Sequence, residues 1–154
     1  MAVTAFWYGK AILNAFSGET SGESIAIDYL SDTINCSLHL TGYTPAQDTD
    51  EFWDAATNEH GETGTYTTHG ATLGTKTLGY TGGTNVIKFS CAAIEWAAST
   101  IVSATNATIF DLKGGAHSAD PLMGYILFGE AKSSSGGSFK ITPHTDGLLT
   151  ITPS

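Results

Sequence analysis

The sequence predicts an all-β fold, a mainly antiparallel sandwich or jelly-roll-like arrangement with one short N-terminal helix, in a single domain over residues 1–154. Three observations predict it. Short apolar and β-branched runs recur with turn chemistry between them roughly every 8–12 residues, the spacing of sandwich and barrel strands. Residues Ile34 to Leu40 alternate strictly, with Ile34, Cys36, Leu38 and Leu40 on one side and Asn35, Ser37 and His39 on the other. Polarity comes mostly from Thr, Ser and Gly: only 14% of residues are charged against 41% hydrophobic, as in β-proteins with neutral polar faces.

The elements follow in order. In residues 5–16, Tyr8, Ala11, Ile12, Ala15 and Phe16 recur at helical spacing, and Gly18 is placed to stop the helix. Gly9 weakens this helix, and a strand carrying Phe6, Tyr8 and Ile12 competes with it. Ser17 to Ser24 reads as a polar turn and Ile25 to Leu30 as a short apolar segment. The strand Ile34–Leu40 comes next, with His39 expected on its solvated side.

Thr41 to Gly70 is the long irregular stretch, punctuated at its end by Gly61, Gly64 and Gly70. Within it, Gln47 to Ala56 has the pattern of one or two helical turns, with Asp48 as N-cap and Glu51 at N3. A loop of this length in a compact domain is usually functional or an interaction surface. Ala71 to Tyr80 reads as a strand, and Thr81-Gly82-Gly83-Thr84 as a hairpin turn. Val86 to Phe128, the most apolar and β-rich block, is expected to be the central sheet, interrupted by the 113–121 loop. Gly129 to Ser138 reads as flexible and low in complexity. Phe139–Thr142 and Leu148–Thr152 are the last strands, giving seven or eight in all.

Composition bounds the function. The net charge is −9 and the six basic residues are all Lys. Nucleic-acid binders need a basic stripe and use Arg to read guanine, so that class is not expected. The N-terminus shows neither a signal peptide nor a membrane-spanning run, and no membrane partner is expected. Cys36 and Cys91 each sit in an apolar run and read as buried thiols; a disulfide between them is permitted but not implied.

No nucleophile elbow or phosphate-binding glycine loop is present. His39, His60, His69, His117 and His144 are scattered. His60 and His69, with Glu59 and Glu62 near, permit a metal site, but no spacing demands one. Asp48, Asp50 and Asp54 lack the glycine and distant Glu of a calcium loop and read better as a capping cluster. Trp7, Tyr43, Trp53 and Tyr66 are candidates for sugar stacking. Paired carboxylates for glycoside cleavage are neither indicated nor excluded, because their separation is spatial. No catalytic, cofactor-binding or metal-ligating residues are therefore assigned, and the expectation is a domain that binds or assembles.

An ordered series of short motifs then stands out. It runs through Tyr8-Gly9-Lys10-Ala11-Ile12-Leu13, Ile27-Asp28-Tyr29-Leu30-Ser31-Asp32-Thr33-Ile34, and Gly42-Tyr43-Thr44-Pro45 with Asp48. Asn58-Glu59, Gly64-Thr65-Tyr66-Thr67, Leu73, Trp96, Ser99-Thr100-Ile101 and Ile109-Phe110 continue it. Pro121-Leu122-Met123-Gly124-Tyr125, Phe128-Gly129 and Gly147-Leu148-Leu149 close it. Over nearly the whole chain this resembles a group of small structural proteins encoded among the head and tail genes of tailed bacteriophages. The chain departs from that pattern in a longer Gly18–Ser24 insertion and in Ala104 to Thr108, where relatives are more aromatic.

The resemblance carries no catalytic residues. It implies a non-enzymatic virion component assembled in the bacterial cytoplasm, a homo-oligomer that decorates or cements the outer head and contacts the major capsid protein. The contact residues expected on this reading are Tyr43, Phe52, Trp53 and Tyr66 in the long loop, together with the 130–138 turn. Three other readings stay open: a head-fibre, neck or tail-tip adaptor, a glycan-binding module, and a hydrolase with two carboxylates converging in a cleft.

Overall fold

The structure, a computed structural model, describes residues 3–17 and 26–153. It is mostly antiparallel β-sheet with one short helix, as the composition and alternation predict. Ten strands are present among the described residues. A five-stranded sheet has the order β1 (Thr4–Trp7), β8 (Leu122–Lys132), β7 (Ala104–Asp111), β2 (Ile34–Leu40), β3 (Ala71–Thr72). A three-stranded sheet orders β10 (Leu149–Ile151), β5 (Val86–Ser90) and β4 (Thr77–Thr81), and β6 (Ile94–Ser99) pairs with β9 (Gly137–Ile141).

Strand alternation fixes what each face of the large sheet carries. On the first face Ile34, Cys36, Leu38, Ala107, Ile109 and Ile126 pack with Trp96, Phe139 and Leu149 from the two small sheets. This is the main apolar core. The second face carries Ser37 opposite Thr108 and His39 opposite Asn106, and it holds Phe110 and Tyr125 in a second cluster with Tyr8, Ala11, Tyr43, Trp53 and Ala56. The helix α1 (Gly9–Ser17) and the 41–66 loop supply that cover.

Several local expectations change. Thr4–Trp7 is a strand and not the start of the helix, because β8 offers an unpaired edge: Thr4 pairs with Leu127 and Trp7 with Gly124. Tertiary pairing outweighs helix propensity there. The helix starts at Gly9 and buries Ala11 while leaving Phe16 84% exposed. The predicted Gly18 stop and most of the Ser17–Ser24 turn and residue 25 lie outside the described residues.

Residues 71–80 form two strands rather than one. Thr75 takes a left-handed φ of 46° between them, and the Gly74 carbonyl accepts the Ala92 amide at 2.8 Å. The Val86–Phe128 block is distributed over all three sheets, and only β7 and β8 lie at the centre of the large one.

The 129–138 stretch is also more ordered than its composition suggests. β8 continues to Lys132 and β9 begins at Gly137. The serines between them serve the 99–103 segment: Ser134 Oγ donates to the Ser99 carbonyl at 2.7 Å, and Ser133 Oγ accepts the Ser103 amide at 2.9 Å. Side-chain hydroxyls thus replace ladder hydrogen bonds at the sheet's end.

Candidate functional site

The long loop and the polar face of β2 build one site together. The loop is pinned at two close approaches. A Cβ on Gly70 would stand 1.8 Å from the Cys36 carbonyl oxygen, and one on Gly64 would stand 2.0 Å from that of Ala98. Only glycine allows backbone to approach that closely at positive φ. Ahead of these points Leu40 donates to Asn58 O at 3.0 Å, and His60 donates to Leu38 O at 2.8 Å. The loop is therefore laid against β2.

The consequence is that Asn35, Ser37 and His39 are buried, although alternation places them opposite the main core. His39 is not a solvated strand residue. Its Nδ1 lies 2.9 Å from the Thr57 carbonyl, which makes that nitrogen the donor. Nε2 is left to accept from Ser37 Oγ at 2.8 Å or Thr108 Oγ1 at 2.9 Å. Burial pushes the His39 imidazole down to about 4, so it is neutral at physiological pH.

The four residues predicted as contacts are placed differently. Trp53 packs on Phe110 at 5.5 Å and donates its indole N–H to Ser37 Oγ at 3.2 Å. Tyr66 is fully buried against Trp96, accepts the Leu38 amide at 2.8 Å and donates to Glu59 at 3.0 Å. Tyr43 donates to Asp50 at 2.9 Å and receives the Tyr8 hydroxyl at 2.7 Å. Phe52 is half-buried, and its backbone bridges to Pro121. Tyr43, Trp53 and Tyr66 thus serve the protein's interior: the Tyr43 and Trp53 rings cover the polar strand face, and Tyr66 packs in the main apolar core. They are not exposed contacts, and they offer no stacking platform.

The acidic cluster is split the same way. Asp50, not Asp48, caps the local turn by accepting the Ala46 amide at 2.9 Å, and Glu51 pairs with Lys10 at 2.5 Å. The helical turn itself is a 3-10 turn at Trp53–Ala55, with Phe52 at its N-cap. Among the described residues no group of three or more His, Cys, Asp or Glu converges as metal ligands do.

Beside Trp53 the loop meets the 113–121 loop. Trp53 N donates to the Asp120 carbonyl at 2.8 Å, and Leu122 N donates to that of Glu51 at 2.8 Å. This docking brings His69 to His117, with Nε2 atoms 3.3 Å apart. The Trp53 ring lies 4.7 Å from the His69 ring and 4.8 Å from that of His117. Asp120, fully buried, accepts the Lys113 amide at 2.7 Å and faces His117 Nδ1 at 3.3 Å. His60 does not join them: its Nε2 accepts the Val102 amide at 2.9 Å.

A carboxylate pair lies elsewhere, at a groove of about 840 Å³ lined by Tyr29, Leu30, Asp32, Leu78, Phe89 and Lys113 among others. Lys113 Nζ is 2.7 Å from Asp32 and 2.5 Å from Asp111. Burial, with Asp32 as a like charge, pushes Asp111 up to about 7. Burial also acts on Asp32, but hydrogen bonds from Lys113 and Asp111 outweigh it and hold that carboxyl below its ordinary value. Asp111 has no exposed side-chain surface, and Lys113 pairs with one oxygen of each carboxylate.

Both cysteines are free thiols. Cys36 is fully buried as expected, while Cys91 is half-buried and pushed up to about 11 by burial.

Scanned against protein-family models the chain matches none, and neither a search of curated proteins nor one of solved structures gives a match.

Proposed function

We propose that this chain is a non-enzymatic structural protein of a tailed-bacteriophage particle, decorating the outer head surface in contact with the major capsid protein and with further copies of itself. The motif series through the chain is the first support. The structural observation that carries the reading is β4. It is the edge of its sheet, all five of its residues are exposed, and among them Leu78 and Tyr80 are 48% and 65% exposed.

An open edge strand with apolar side chains is a template for pairing with another chain, and monomeric proteins usually blunt such edges. Leu30 beside Leu78 extends the apolar surface along the groove. The contact surface in this reading is therefore β4 and its groove, in place of the loop aromatics. A net charge of −9 without any Arg favours a position away from packaged DNA. Asp111 is buried and bridged to Asp32 by Lys113, which keeps the pair from substrate and suits a non-catalytic role.

The test is stoichiometry. The chain is quantified against the major shell protein in purified particles of the phage that encodes it. Hundreds of copies per particle are expected. A handful of copies would move the protein to an adaptor position at the neck, a fibre or the tail tip. Its absence from particles would overturn the virion assignment.

A further inference from the structure

We propose that His69 and His117 form a two-imidazole site for a divalent transition-metal ion of the zinc, nickel or copper(II) class. The two Nε2 atoms converge at 3.3 Å. With metal–nitrogen bonds of about 2.0–2.1 Å, that separation corresponds to a nitrogen–metal–nitrogen angle of roughly 105°, near tetrahedral. A bound ion would displace the proton shared between the rings and sit to one side of the line joining the two nitrogens.

The surroundings are those of a held ligand pair. His117 presents its other ring nitrogen to the buried Asp120 carboxylate, the outer-sphere arrangement that fixes the tautomer of metal-binding histidines and raises their basicity. Asp120 is itself held by the Lys113 amide. The His69 backbone is fixed on both sides: its amide donates to Glu59 at 2.6 Å and its carbonyl accepts from Asn35 at 3.1 Å. Trp53 flanks both rings, so neither imidazole must be ordered on binding.

Glu59 and Asp120 supply negative charge close by. The His117 side chain is 44% exposed, which gives an ion access and leaves the remaining coordination positions to water. Imidazole ligands select copper, nickel and zinc over magnesium, calcium and manganese.

The experiment titrates the full-length, chelator-treated protein with Cu²⁺, Ni²⁺ and Zn²⁺ at neutral pH. Calorimetry gives stoichiometry, and electron paramagnetic resonance of the Cu²⁺ form counts nitrogen ligands. One equivalent with two imidazole nitrogens is expected, accompanied by quenching of Trp53 fluorescence. His117→Gln lies in an exposed turn, and His69→Asn keeps a residue tolerant of its left-handed φ of 72°. Each should weaken binding at least about tenfold, and Asp120→Asn should weaken it by about 10–100-fold. His144→Gln should change nothing. Absence of saturable binding, or binding retained in the His69→Asn/His117→Gln double variant with native circular dichroism, overturns the proposal.

Discussion

The two faces of the five-stranded sheet are both buried, but by different means. On the first face, strands from two small sheets press Trp96, Phe139 and Leu149 onto Ile34, Cys36, Leu38 and Ile109. On the second, a helix and an irregular loop press Trp53, Tyr43 and Tyr8 onto a strand face that includes Ser37, His39 and Thr108. The first face is held mainly by apolar burial, which tolerates volume-conserving change. The second also depends on the partners that Ser37, His39 and Thr108 find in one another and in the loop, because an unpaired buried donor or acceptor costs more than the hydrogen bond itself gains. The same strand thus reports two kinds of stability.

The largest effects should come from removing the anchor ring on each side. Trp96→Ala is expected to cost about 3–5 kcal/mol, and Trp53→Ala about 3 kcal/mol, since the loop can partly collapse where the sheets cannot. Chemical denaturation of the two variants measures this. If Trp53→Ala left stability unchanged, the loop would be a loosely held flap and the comparison would fail.

Acid separates the faces next. His39 is held to about 4 when folded against an ordinary 6.5. Its contribution is complete above pH 6.5 and is lost as pH falls toward 4, by roughly 3 kcal/mol in total. Asp111 acts in the opposite sense. Raised to about 7 from 3.8, it contributes below pH 3.8 and loses that contribution as pH rises toward 7. Stability measured from pH 4 to 7 in the native chain and in His39→Gln should differ by a slope that only the native chain shows. Identical slopes would place protonation of His39 outside the folding equilibrium.

Smaller still is Tyr43→Phe, which deletes the hydroxyl joining Tyr8 to Asp50 and should cost about 1 kcal/mol. Thermal melts would register it. Smallest is Leu78→Lys on the exposed edge strand, expected within about 0.5 kcal/mol of the native stability. Under the proposed virion role, particles assembled with that variant should nevertheless carry fewer copies of it. Undiminished occupancy would move the contact surface away from β4.

Alternation made the fold class and β2 legible, and it assigned Ser37 and His39 correctly to the face opposite Cys36 and Leu38. What it lacked was the cover. Parity tells which side of a strand a residue occupies, and whether that side meets water depends on a loop whose path has no periodic signal. Phe52 and Trp53 among acidic residues looked like an exposed recognition patch for the same reason. The histidine pair was illegible because its members lie 48 residues apart, brought together by backbone hydrogen bonds at Trp53 and Leu122. The serines of 133–134 looked like a linker because their composition is that of one, and only the neighbouring 99–103 backbone gives them partners.

The placement of β1 has a kinetic consequence. Thr4 pairs with Leu127 and Trp7 with Gly124, so β1 has no ladder to join until residues 124–127 have been made. Topologies dominated by such distant pairings fold slowly, because the entropy of closing the long loop is spent before the contacts form. Until β1 docks, the outer side of β8 is an open edge able to accept a strand from a neighbouring nascent chain. Production of correctly paired protein should therefore fall with expression rate sooner than its final stability would suggest.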